Sequence, residues 1–236
     1  MAEKSAPASL ELLGEALLSI RKRLILAGAL FLILTVSFYF FSPRILATVQ
    51  RHLGQELAFF GVMEPFLALL KIALACAALI MVPYFLWLCW LIISSLFGFR
   101  KSTGLLFIFS GMFLFYGGVA FCYLVTLPYG VKFLLSFQKE DIVPTISVGH
   151  FVNFVGLFLL AFGIIFELPL IMVTLARAGV LDPRKVSRFR RHAILVITIL
   201  AAILTPTPDV FNLALMAVPL YLLFEVGLLV SKLATR

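Results

Sequence analysis

The sequence predicts an all-α integral membrane protein with six transmembrane helices, the last two short. An amphipathic surface helix precedes them, and both termini lie in the cytoplasm. Three observations carry this. Mean hydropathy is +1.16 and 63% of residues are hydrophobic, too apolar for a soluble domain of 236 residues. The apolar residues gather into runs at about 24–41, 65–97, 104–127, 151–177, 193–206 and 210–230, and about 20 such residues cross the ~30 Å hydrocarbon layer. Fourteen of the 19 Lys and Arg residues fall in the two tails and in the second and fourth loops. Only four fall in the other three loops, and positive charge is retained inside. The whole chain, 1–236, therefore reads as one multi-pass membrane domain. Its net charge of +8 is explained by orientation and lipid contact rather than by nucleic acid.

Residues 1–8 are polar and small. From Ser9, a plausible N-cap, Leu10, Leu13 and Leu17 recur at helical spacing, the pattern of a helix lying on the membrane surface. Arg21-Lys22-Arg23 halts translocation before span one, whose apolar run is too long for a cleaved signal peptide. Pro43 is expected to end that span, and Arg44–Met63 to form a polar loop. Span two exceeds the bilayer thickness, with Lys71 near its start and a kink expected at Pro83. Trp87 and Trp90 suit the headgroup layer at its other end. Span three is expected to close at Pro128. After span four comes RAGVLDPRKVSRFRRH, where Gly179 suits a helix end and Pro183 a new start. The fifth run reaches only about 21 Å, and Pro206 and Pro208 follow it. Asp209 is expected to cap the last helix, which carries Pro219 and Glu225. Glu225 lies near the cytoplasmic end, where it can snorkel or pair with Lys232.

The candidate centre is Glu167 in span four, two residues before Pro169. A carboxyl group at membrane depth costs about 2.5 kcal/mol or more and normally faces protein or a wet cavity. Pro169 removes a backbone donor and kinks the helix. Together they predict a polar concavity inside the membrane. Cys76, Cys89 and Cys122 lie in apolar spans without C-x-x-C spacing, and the three histidines are scattered. No metal site and no cofactor are expected. No phosphate loop or nucleophile-base pair suggests an enzyme.

Four local patterns point further. They are Glu64-Pro65-Phe66 with Lys71; Ala161-Phe162-Gly163 with Phe166-Glu167-x-Pro169; Leu204-Thr205-Pro206 with Pro208-Asp209-Val210-Phe211; and Ala217-x-Pro219-x-Tyr221-x-x-x-Glu225. In order and spacing they resemble the TatC family, the multi-spanning subunit of the twin-arginine translocase. The resemblance implies a receptor and scaffold for folded cargo bearing an Arg-Arg signal peptide. It also implies single-span partners of the TatA and TatB type, and association with further copies of itself. By the same resemblance, Glu167, Thr205, Asp209 and Asn212 form an intramembrane polar site for partners. The signal peptide would be read near Glu15, Ser19, Arg21, Arg23 and Arg100.

The departures fall on that second set. The family pattern H-L-x-E-L-R-x-R-L aligns with residues 16–24, so its acid is Ser19 here. The loop after span two carries Arg100 and Lys101 where the family has its second acid. Glu15 stands one turn before Ser19. A glutamine common after the Asp-Val-Phe sequence is Leu213 here, beside Asn212. The alternative reading is a divergent paralogue with weakened twin-arginine recognition that serves a narrow cargo set or organises partners. A proton-coupled carrier using Glu167 ranks behind both, because no opposed repeats are evident.

Overall fold

The computed structural model describes residues 6–54, 57–99, 102–135, 146–204 and 210–234. Helix α1 (Ala6–Leu53) is followed by β1 (Leu57–Ala58), α2 (Glu64–Phe97) and α3 (Ser102–Phe121). A π-helical turn, Cys122–Thr126, leads into α4 (Leu127–Leu135), then β2 (Ile146–Ser147), α5 (Val148–Phe166) and α6 (Leu168–Arg177). Helices α7 (Pro183–Arg188), α8 (Arg190–Leu204) and α9 (Val210–Ala234) complete the chain. Five helical stretches among the described residues are long and apolar enough to cross a membrane. Helix α8, with 15 residues, is about 22 Å long and falls short of the hydrocarbon thickness.

Two prolines, Pro43 and Pro128, do not end a span as the sequence suggests, and Pro83 sits inside a continuous helix. Pro43 lies inside α1, which runs on to Leu53 instead of giving way to a loop. Proline cannot donate to the carbonyl four residues back; here that is Tyr39, whose oxygen accepts the buried Ser42 hydroxyl at 2.7 Å. Pro83 leaves the Leu79 carbonyl in the same position, and the Tyr116 hydroxyl of α3 donates to it at 2.9 Å. Helix α2 continues through Pro83 to Phe97. Pro128 does not close the third span either. The π-helical turn just before it bonds the Leu127 N–H to Cys122, five residues back, and the chain continues as α4. We expect Tyr116→Phe to lower stability in detergent by about 1 kcal/mol or more, because it orphans a carbonyl away from water. Ser95→Ala, whose hydroxyl is exposed, serves as the neutral control, and equal melting of the two would refute the assignment.

Helix α5 sits centrally, against α2 on one side and α3 on the other. Phe154, Phe158, Phe162 and Phe166 recur every four residues along it, with successive ring centroids 4.4, 6.4 and 6.3 Å apart. Phe121 of α3 packs on Phe162 and Phe166. A second apolar cluster, Met172, Ile197, Leu220, Phe224 and Leu228, joins α6, α8 and α9. Large apolar side chains such as Ile25, Leu105, Phe113 and Leu195 remain exposed, as expected where lipid rather than water is the solvent. The parallel pairing of β1 with β2 ties the start of α2 to the start of α5.

Candidate functional site

The helix breaks at the residue that the sequence marks as its centre. Helix α5 ends at Phe166, α6 begins at Leu168, and Glu167 is the residue between. Its N–H bonds the Ile164 carbonyl at 3.1 Å, and its own carbonyl accepts from Ile171 at 3.0 Å, so the helical path bends without losing these links. Pro169, buried at the first turn of α6, lacks a donor where none is needed. The side chain is less well served. One Glu167 carboxyl oxygen is buried and has no hydrogen-bond partner among the described residues. A buried acceptor left alone costs roughly 1–3 kcal/mol.

Two residues on, Pro169 enters the wall of a cavity of about 340 Å³ that is open on one side. Helices α2, α3, α6 and α9 enclose it, with Trp90, Phe99, Phe107, Leu170 and Val226 giving an apolar lining. Ser110, Thr174 and Arg177 add the few polar atoms. The Thr174 hydroxyl is already turned to the Leu170 carbonyl at 2.7 Å. The sequence pattern leads one to expect a polar concavity at the acid; the cavity found here is mostly apolar, and Pro169 but not Glu167 lines it.

Where span one begins, the Arg23 guanidinium lies 5.0 Å from the Trp87 ring centroid, a cation–π contact. The Arg23 carbonyl accepts the Tyr84 hydroxyl at 3.0 Å. Glu225 pairs with Arg190 at 2.8 Å and accepts from Tyr221 at 2.9 Å. Pairing with Lys232 is one of the two fates the sequence suggests for Glu225, beside snorkelling, and Lys232 donates to Ser187 at 3.1 Å. The reason is placement: α7 and the start of α8 fold back over the end of α9, bringing Arg190 to Glu225.

The family model for the Sec-independent protein translocase protein (TatC) matches residues 15–219. The TatC of Aquifex aeolicus (strain VF5) is 33% identical over 232 residues, 95% of this chain and 96% of its own. That of Helicobacter pylori (strain J99) is 32% identical over 215 residues, 91% of this chain and 86% of its own. The chain belongs to the TatC family. A crystal structure of the twin-arginine translocase receptor TatC superposes with a TM-score of 0.80 at 33% identity, covering 93% of this chain and 99% of that one. A second, of TatC in DDM, gives a TM-score of 0.81 at 31% identity. TatC membership makes the chain a multi-pass inner-membrane protein and a core component of the twin-arginine translocase, not an enzyme.

Within this TatC fold the residues singled out in the sequence divide into four groups. Glu167 and Pro169 come together at the helix break. Arg21 is exposed and Arg23 half-buried on α1, apart from that break. Arg100, Thr205 and Asp209, and the side chains of Glu15, Ser19 and Asn212, lie outside the described residues. Pro65 occupies the first turn of α2, Phe66 packs edge-on to Tyr39 with centroids 6.0 Å apart, and Pro219 lies inside an unbroken α9. Lys71 is exposed.

One feature of this TatC left little trace in the sequence. The Glu64 carboxylate accepts from the N–H of Gly149 at 2.8 Å, from the N–H of Phe60 at 2.7 Å and from the Ser147 hydroxyl. It clasps the loop before α2 to the start of α5. The only local signal was an acid directly before a helix-starting proline; its partners on α5's side lie 83 and 85 residues away.

Proposed function

We propose that this TatC acts as the membrane receptor of its translocase. It receives Arg-Arg signal peptides at the cytoplasmic face and engages single-span TatA- and TatB-type helices at the Glu167 break. Both termini lie in the cytoplasm. The observation that carries the reading is the buried, unpartnered carboxyl oxygen of Glu167 at the helix break. A partner helix bringing one hydrogen-bond donor would satisfy it, at about 1 kcal/mol within lipid.

The test is site-specific crosslinking to a single-span partner, together with export of a twin-arginine reporter. Glu167→Ala should insert normally and lose both the crosslink and export. Glu167→Gln should keep part of each, because an amide still forms the hydrogen bond. Unchanged crosslinking and export in the alanine variant would leave Glu167 a structural residue.

Orientation is tested separately. In a cysteine-free background, cysteines introduced at Gly54 and Glu140 should react with an impermeant reagent added from outside. Cysteines introduced at Lys101 and Ser187 should not, as the distribution of Lys and Arg requires. Outside labelling at position 187 would overturn this orientation.

The second reading, a TatC paralogue with weakened twin-arginine recognition, is favoured by one observation. Ser19 and Arg100-Lys101 stand where the family carries acids.

A further inference from the structure

Lys71 takes no part in the site described above, yet it is the one charged residue inside the apolar stretch of α2 (65–97). Its depth follows from two fixed ends. At one, Glu64 is tied into the loop structure by three hydrogen bonds. At the other, Tyr84 holds the Arg23 carbonyl, and Trp87 carries the Arg23 guanidinium. Arginine with tryptophan is the usual furniture of a membrane boundary. From Glu64 to Tyr84 is twenty residues, a rise of about 30 Å, which matches one hydrocarbon thickness. Lys71 stands seven residues from the Glu64 end, about 10 Å below that boundary.

Its surroundings are apolar. Lys71 lies on the wall of a crevice of about 80 Å³ between α2 and α5, roofed by α1. Ile72, Ala75, Leu79, Val155 and Leu159 contribute to the lining, and Lys71 is the only charged residue there. Among the described residues it makes no hydrogen bond or ion pair, and no carboxylate lies on the crevice. An ammonium group at this depth cannot remain bare. Snorkelling along its four-carbon stem recovers only about 6 Å of the roughly 10 Å, so the boundary must come partway to meet it.

We propose that Lys71 and this crevice form a phospholipid site. The ammonium group holds the phosphate of a lipid in the leaflet on the Glu64 side, and the upper part of an acyl chain lies in the crevice. The bound headgroup sits below the plane of its neighbours, so the leaflet is locally thinned along the α2–α5 face. A lipid fits better than a protein helix here because the recess is narrow and apolar and asks for one anion at its mouth. An acyl chain also adapts to such a recess without losing backbone hydrogen bonds.

Two measurements on the full chain test this. In the first, delipidated protein in detergent is titrated with phosphatidylglycerol and bound lipids are counted by native mass spectrometry. Lys71→Met should lose one bound lipid, with affinity down about fivefold, or about 1 kcal/mol. Lys71→Arg should keep it, and excess inorganic phosphate should not displace it. In the second, a nitroxide on Leu74→Cys, one turn deeper, reports depth in phosphatidylglycerol vesicles from its relative collisions with oxygen and a water-soluble nickel chelate. The label should read shallower when Lys71 is present than in the Lys71→Met background, by a few ångström. Equal lipid counts and equal depths in the two proteins would overturn the site. So would phosphate displacing the lipid, which would mark a free-anion site. Loss of a co-purifying single-span protein in Lys71→Met with lipid counts unchanged would also overturn it, and would assign the lysine to a partner's carboxylate.

Discussion

Gly118→Val is expected to abolish export of a twin-arginine reporter and to lower the stability of the purified protein. A Cβ at Gly118 would lie 2.7 Å from the Phe162 backbone oxygen and 2.6 Å from Cγ of Phe166. The ring could turn aside, but the carbonyl is part of α5 and cannot. The contact is reciprocal, since a Cβ on Gly163 would lie 2.6 Å from the Phe115 ring. Helices α3 and α5 thus meet through two glycines, each receiving a phenylalanine from the other side. Small residues permit this approach in membranes, where packing rather than hydrophobicity holds helices together. Forcing the pair apart costs about 1–3 kcal/mol or more. It also parts the Phe121–Phe162–Phe166 cluster on which the Glu167 break rests. The control is Gly117→Ala, where a Cβ meets nothing within 4 Å. Melting temperature in detergent and reporter export should fall for Gly118→Val and hold for Gly117→Ala; equal behaviour would refute the close approach.

On the second reading, native protein is expected to bind an Arg-Arg signal peptide poorly, and Ser19→Glu with Arg100→Glu to restore binding by about tenfold or more. Two guanidinium groups are best met by carboxylates that accept two hydrogen bonds each. The chain offers Glu15 near the expected site, and places Arg100 and Lys101 where the family has an acid. Exposed ion pairs are worth about 0–1 kcal/mol and partly desolvated bidentate pairs more. Two lost acids with a base gained should therefore weaken binding by at least about tenfold, or about 1.4 kcal/mol. Crosslinking of a reporter signal peptide to native and doubly substituted protein, with a Lys-Lys version as control, reads the difference. Strong Arg-Arg-selective crosslinking to the native chain would make Glu15 or a partner the missing acid.

The candidate centre was legible from sequence because its signals are adjacent: an acid, a proline two residues later, and apolar residues on both sides. A polar concavity was expected there, but the one that Pro169 lines is mostly apolar and Glu167 is not on its wall. Trp90, Ser110, Thr174 and Val226 come from four helices, and no local pattern says that they share a wall. The Glu225 pairing shows the same limit. Lys232 is its neighbour along the helix, yet Arg190 reaches it because α7 and α8 fold back.

Hydropathy and charge are properties of segments, so the sequence alone determined the membrane class, the apolar stretches and the short fifth helix. Backbone chemistry is also local, and it marked the turn at Gly179, with φ +74, and the fresh start at Pro183 capped by Asp182. What only the tertiary structure decided is where each backbone group orphaned by a proline finds its partner. At Pro83 the Leu79 carbonyl gains its donor only when α3 docks, because Tyr116 comes from 37 residues away. The Glu64 clasp likewise exists only once β1 lies beside β2. In lipid no water can substitute for such partners, so whether a proline ends a helix depends on what the next helix brings to it.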